Sequence, residues 1–314
     1  MIIVWILLAL LALAVLAAYL CYRMAFYSAP RKPATDDRIE IPEGEIYEVF
    51  RPAMEAWARE TRAMKSESVS ITSFDGLTLR GKYYEFAPGA PIELMFHGYR
   101  GSSERDLSGG VQRCFALGRS ALIVDQRCSG TSEGSVITFG IREHRDCLSW
   151  VAFMVNHFGP EVKIILTGIS MGASTVVMAA GKPLPDNVIG VLADCGYCSA
   201  KEIIHEVIRQ MGLPPKLGYP FVKLGAKLFG GFDLEEYSPM EALKTTTKPI
   251  IFFHGAADDF VPCWMSEKMH AACPTRTRLV TIPDAGHGLA FPVDQKGYLK
   301  AAGEFFGSQV LTEA

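Results

Sequence analysis

The sequence predicts an α/β domain on a mostly parallel sheet, and three observations carry that prediction. Apolar runs of strand length recur along the body of the chain with helical patterns between them. An antiparallel hairpin signal at Asp75-Gly76 precedes the first of these runs. A charge-free N-terminal run stands outside the alternation.

That run, residues 2–22, is long enough for a helix to cross the hydrocarbon core of a bilayer. A cleaved signal peptide would have a basic leader, a shorter apolar core and a small-x-small cleavage site. No Lys or Arg precedes this run, and Leu20 ahead of Cys21 does not suit a lipoprotein signal. The expectation is a retained transmembrane anchor over residues 1–27. Arg23, Arg31, Lys32 and Arg38 follow it, whereas the nearby Asp36 and Asp37 count for little, so the positive-inside tendency puts the body in the cytoplasm. Cys114, Cys128, Cys147, Cys195, Cys198, Cys263 and Cys273 are scattered rather than regularly spaced, which favours a reducing compartment over a disulfide framework. A net charge of −3 without a Lys/Arg-rich stripe argues against nucleic acid as a partner.

Residues 28–65 read as a charged, Pro-containing linker and an amphipathic helix. Ile46, Val49, Phe50, Ala53 and Trp57 fall at helical spacing, with a reset at Pro52 and an apolar face that suits domain packing better than a membrane surface. Residues 66–314 form the domain. After the hairpin, "IELMFHG", "ALIVDQR", "KIILTG", "VIGVLADCG", "KPIIFFHG" and "TRLVTIP" are strands separated by helices, and "VDQKGYLKAAGEFFGSQVL" closes the chain as a helix. Residues 198–247 break the rhythm. They are helical in pattern, apolar and too long for a plain crossover, so they read as an inserted cap.

The chemistry concentrates in "GISMGA", where a buried strand turns into a small-residue helix. Such a corner strains its central residue, and neighbours two positions away must lack side chains, which Gly168 and Gly172 do. Ser170 then stands clear of the sheet at a helix N-terminus, and the Met171 N–H is free for an oxyanion. A serine nucleophile needs a base and an orienting acid. His287, between two glycines in "DAGHG", is the natural base. His144, His157, His205 and His270 lie in helical patterns, and His254 ends a strand where it shapes the turn. Asp258, four residues past His254, is the preferred acid, with Asp194 and Asp259 as rivals. In "HGYRGSS" the Tyr99 N–H is the second oxyanion donor, flanked by Gly98 and Gly101, and its phenol is left without a role. The pair Cys195 and Cys198 in "CGYC" lacks further ligands for zinc and a thioredoxin-like setting, so it reads as incidental.

Taken together, "HGYRG", "DQRCSGTSEG", "GISMGA", "HGAADDFVP" and "AGHG" resemble the α/β-hydrolase superfamily, in its serine-aminopeptidase/monoacylglycerol-lipase-like and Bem46-like branch. The likeness runs from Ser66 to Leu311. It implies an α/β-hydrolase fold with a helical cap between the sixth and seventh strands, and a hydrolytic triad. The family loop usually has Gly after Arg where this chain has Cys128, which puts the loop's shape, not its catalysis, in question. The expected protein is a membrane-anchored serine hydrolase that cleaves a lipid-like acyl ester or thioester through an acyl-enzyme. Ser170, His287 and Asp258 do the work, the Tyr99 and Met171 amides hold the oxyanion, and no metal or organic cofactor is needed. A peptidase for short peptides is the enzymatic alternative; it would need an acidic anchor for a substrate amine, for which Glu202, Glu206, Glu235 and Glu236 are available. A non-catalytic binding protein on the same scaffold would usually have lost a triad residue, and none is missing.

Overall fold

The computed structural model describes residues 1–29 and 39–307. Arg31, Lys32, Asp36, Asp37 and Arg38, which enter the orientation argument, and Leu311 at the end of the resemblance lie outside the described residues.

The apolar run forms one helix, α1 (Ile2–Ala25), of 24 residues, within which an 18-residue window has mean hydropathy 2.9, long and apolar enough to cross a membrane. Its last turns differ from the rest. Ala18, Tyr22 and the following Phe26 are buried, and the Phe26 ring packs against Phe139 and Phe232 at 5.7 and 5.3 Å. The Ile137 N–H donates to the Phe26 carbonyl, and the Ser28 hydroxyl donates to the Cys128 carbonyl.

The amphipathic segment breaks where proline requires it. A short α2 (Glu45–Glu48) precedes α3 (Arg51–Ala63), and Pro52 sits in the first turn of α3, where its missing N–H costs no helical bond. Next comes the hairpin β1 (Glu67–Thr72) and β2 (Thr78–Tyr84), paired antiparallel through a turn in which Gly76 adopts φ +91°. The alternation that follows runs β3 (Ile92–Phe96), α4 (Ser103–Ala116), β4 (Ser120–Val124), α5 (Glu143–Phe158), β5 (Ile164–Ile169), α6 (Met171–Ala180) and β6 (Val188–Asp194). The long interval holds α7 (Ala200–Gln210), α8 (Pro215–Gly225), a π-helical turn (Ala226–Gly230) and α9 (Pro239–Ala242). It is followed by β7 (Ile250–Gly255), α10 (Trp264–Ala272), β8 (Thr277–Ile282), α11 (Ala290–Val293) and α12 (Gln295–Phe306).

All eight strands join one sheet in the order β1-β2-β4-β3-β5-β6-β7-β8. β1, β2 and β4 pair antiparallel, and every pairing from β4 through β3 to β8 is parallel. Every residue of β3, β4 and β7 is buried, because helices cover both faces of the sheet. Trp150, Val176 and Phe252 belong to the core on one face, and Phe253, Tyr298 and Leu299 to that on the other.

Two features interrupt the apolar pattern. Glu93, fully buried in β3, accepts from Arg113, Arg119 and Thr167. Burial opposes its charge, but the two guanidiniums outweigh it and hold the carboxyl at about 2. Cys128 adopts φ +66°, a left-handed conformation that glycine enters without strain. The loop keeps its shape because Arg127 grips Asp146 and Asp75 with paired hydrogen bonds of 2.6–3.0 Å and the Cys128 N–H donates to the Glu133 carbonyl.

Candidate active site

Ser170 occupies the corner between β5 and α6 with φ +56° and ψ −119°, a strained conformation for a residue with a side chain. The glycines on either side are required. A Cβ on Gly168 would lie 2.2 Å from the Gly172 carbonyl carbon, and one on Gly172 would lie 2.1 Å from the Phe96 carbonyl oxygen. The Ser170 N–H donates to the Asp194 carbonyl at 2.8 Å, which pins the corner to the end of β6.

The loops after β7 and β8 bring two further side chains to that corner. His287 Nε2 lies 2.9 Å from Ser170 Oγ, and His287 Nδ1 lies 2.7 Å from Asp258 Oδ2. Burial would raise the Asp258 carboxyl, but hydrogen bonds from His254 and His287 hold it at about 2. An ionised carboxylate only accepts, so Nδ1 carries the imidazole proton and Nε2 presents its lone pair to the serine hydroxyl. That is the tautomer a general base needs. Asp258 Oδ1 accepts the N–H groups of Phe260 and Val261 at 3.0 and 2.8 Å, which fixes the carboxylate. His254 does more than shape its turn. Its Nε2 lies 2.8 Å from the Val261 carbonyl and 3.3 Å from Asp258 Oδ2, and its Nδ1 lies 2.7 Å from Ser266 Oγ.

Among the described residues neither rival to Asp258 hydrogen-bonds to His287. Asp194 accepts from the Tyr298 hydroxyl at 3.0 Å, and burial raises its carboxyl to about 6. Asp259 is exposed, and its carbonyl accepts from Gln210. Cys195 and Cys198 are buried free thiols; burial raises both, Cys195 far above the usual thiol range, so neither is the exposed, low-pKa thiol that redox chemistry requires.

The loop after β3 carries Tyr99. Among the described residues its N–H and that of Met171, the first residue of α6, make no hydrogen bond to the protein. The loop is clamped by Asp106, which accepts the Gly98 N–H at 3.0 Å and pairs with Arg105. The Tyr99 phenol has a partner that sequence did not suggest. It donates to the Ala25 carbonyl at 2.8 Å, and Arg100 donates to the carbonyls of Met24 and Tyr27, both at 2.9 Å. The orphan carbonyls at the end of α1 are thus satisfied by this loop.

A cavity of about 210 Å³ opens beside Ser170 and His287. Its apolar wall includes Met54, Trp57, Phe260 and Phe291. This departs from the expected apolar cap over the site, since no residue of the β6–β7 interval lines the cavity. The wall comes instead from α2 and α3 together with the β7–α10 loop and α11: Trp57 packs over Gly109, where a Cβ would meet the indole at 2.8 Å, and contacts Phe291 at 5.5 Å. Tyr47 of α2 donates to the His287 carbonyl at 3.0 Å. Helical spacing revealed the apolar face of this segment but not what it would cover.

A sequence profile described as the prolyl oligopeptidase family matches residues 138–312, more than half of the chain. The chain belongs to that family. As a member of the prolyl oligopeptidase family it is a serine hydrolase of the α/β-hydrolase superfamily. It is similar to the uncharacterised protein YqkD of Bacillus subtilis, with 27% identity over 190 residues that cover 60% of this chain and 62% of that protein. An esterase of Pyrococcus furiosus shares the fold at a TM-score of 0.67 and 19% identity, over 90% of this chain and 98% of the esterase. An acylaminoacyl peptidase of Pyrococcus horikoshii superposes with a TM-score of 0.56 and 17% identity, over 82% of this chain but 44% of the peptidase.

Proposed function

We propose that this protein is a membrane-anchored serine esterase that hydrolyses a lipid-like acyl ester or thioester. The observation that carries the reading is the continuous relay from Asp258 through His287 to Ser170, with contacts of 2.7 and 2.9 Å. Ser170 Oγ attacks the acyl carbonyl while His287 Nε2 takes its proton. The Met171 and Tyr99 amides donate hydrogen bonds to the developing oxyanion. His287 then protonates the leaving group, the acyl-enzyme forms on Ser170, and water activated by the same imidazole releases the acid. Asp258, ionised throughout the ordinary pH range, stabilises the imidazolium.

An ester substrate is favoured by the mainly apolar cavity wall and by the likeness to the Pyrococcus furiosus esterase. Family membership and the likeness to the acylaminoacyl peptidase favour the peptidase alternative. That alternative requires an anchor for a substrate amine, and Glu202, Glu206, Glu235 and Glu236 all lie outside the cavity walls. Glu206 pairs with Arg209, and Glu235 accepts from Tyr219 and pairs with Lys223. Retention of α1 is supported by its buried end, because a processed leader would carry away Ala18 and Tyr22, which belong to the packed interior. The domain then lies in the cytoplasm by the charge rule.

Labelling of purified protein with a fluorophosphonate, followed by a series of p-nitrophenyl esters from acetate to palmitate beside aminoacyl amides, tests the reading. The expected result is Ser170-dependent labelling with ester turnover; turnover of the amides alone would transfer the assignment to a peptidase. Protease protection in inverted vesicles checks the orientation, and a shielded domain would reverse it.

A further inference from the structure

We propose that α8 and the π-helical turn after it form a second membrane element, lying in the boundary between headgroups and acyl chains beside α1. Leu217, Phe221, Leu224 and Leu228 recur at steps of four, three and four residues and so share one side of the helix. Leu217 is 69% exposed and Leu228 54%, and Phe221 and Phe229 are exposed with them. The other sides are occupied. Gly218 backs onto Ile208 of α7, Tyr219 and Val222 are buried, and Gly225 faces α1 so closely that a Cβ would stand 2.3 Å from the Ala18 carbonyl oxygen. Lys216 and Lys227 share a third side with Lys223, which pairs with Glu235 and Asp233.

Three such sides describe a helix in the plane of a bilayer surface: one packed on its domain, one apolar toward the acyl chains, one cationic toward the headgroups. The contact with α1 gives its depth. Ala18 lies five residues on the apolar side of Arg23, the first charged residue after the run, so at 1.5 Å per residue Gly225 sits about 7 Å below the level of that charge. Interfacial helices bury their apolar faces to about 5–10 Å. Phe229 is at the same level, its ring 5.2 Å from that of Tyr19. The exposed stripe is continuous with the exposed surface of α1, and a bilayer covers both at once. The placement rests on α1 being the membrane span proposed above.

Full-length protein in phosphatidylcholine vesicles that contain a diazirine-tailed phospholipid is irradiated, digested and mapped by mass spectrometry. Adducts are expected on α1 and on the peptide spanning residues 217–229. Adducts on α1 without any on that peptide would overturn the second element and leave the anchor standing; their absence from α1 would remove the anchor and this placement with it. A Leu217→Glu, Leu228→Glu variant provides a second measurement. Its turnover of soluble p-nitrophenyl acetate is expected to stay unchanged, while labelling of residues 217–229 falls about tenfold, since charge on the apolar side opposes insertion. Undiminished labelling in that variant would also overturn the proposal.

Discussion

Two amphipathic segments flank the catalytic corner, and they use their apolar faces in opposite ways. Residues 45–63 turn theirs inward, so that Met54 and Trp57 wall the cavity and Tyr47 holds the His287 carbonyl. Residues 215–230 turn one side onto α1 and α7 and leave the stripe of Leu217, Phe221 and Leu228 outside. A hydrophobic period therefore identifies a face but not its partner. Where the partner is the domain, the segment can shape a site; where it is another surface helix, it extends the molecule's reach.

The largest effects belong to the inward side. Ser170→Ala is expected to abolish fluorophosphonate labelling and lower kcat by about 10⁴-fold or more, with Asp258→Asn costing about 10³–10⁴-fold because the imidazole loses the partner that fixes its tautomer. Steady-state kinetics on p-nitrophenyl butyrate check both, and an Asp258→Asn enzyme of near-normal turnover would return the acid to Asp194.

The contrast itself is sharpened by a truncation in each segment. Trp57→Ala removes a wall and opens a void, so it is expected to cost about 3 kcal/mol in urea unfolding and to raise KM for long-chain esters. Leu217→Ala, on the outer stripe, is expected to change unfolding in detergent by less than about 0.5 kcal/mol. Equal costs would erase the distinction.

Asp194, at the cavity's inner end, adds a dependence on pH. Burial raises its folded carboxyl to about 6 from 3.8, and the hydrogen bond from Tyr298 opposes this only in part. Stability from a raised acid is present below the unfolded value and is lost as pH rises through the folded one. Asp194→Asn should therefore gain on the parent protein by on the order of 2–3 kcal/mol between pH 4 and pH 8, read as the difference in unfolding free energy. A smaller effect than that of Asp194 belongs to the seam between α8 and α1. Gly225→Ala would push a methyl against the Ala18 carbonyl and should lower stability by about 1–2 kcal/mol, measured by thermal unfolding in detergent.

Much of the corner was legible because its constraints are local. Gly168 and Gly172 announce a crowded turn whatever surrounds them, and His287 and Asp258 follow strands whose ends must share one edge of the sheet. The parallel order was legible for the same reason, since β3 to β8 are continuous apolar runs with helices between them. Contacts that depend on distant pieces of chain were not. Nothing near Tyr47 marks it as the donor to a carbonyl 240 residues away. Trp57 looked like packing, which it is, but the cavity beside it arises only when α4 supplies Gly109 and α11 supplies Phe291. His254 was read from its place at a strand end, and its hold on Asp258 required the loop to fold back over it.

The hydrogen bonds from Tyr99 and Arg100 to the carbonyls of Met24, Ala25 and Tyr27 have a practical corollary. Trimming away the N-terminal helix would strip acceptors from the very loop that carries the proposed oxyanion donor. Kinetics of such a shortened form would describe a loosened loop, and inhibitors ranked on it would be ranked against a different pocket. The whole chain, with that helix retained, is the appropriate material for such measurements.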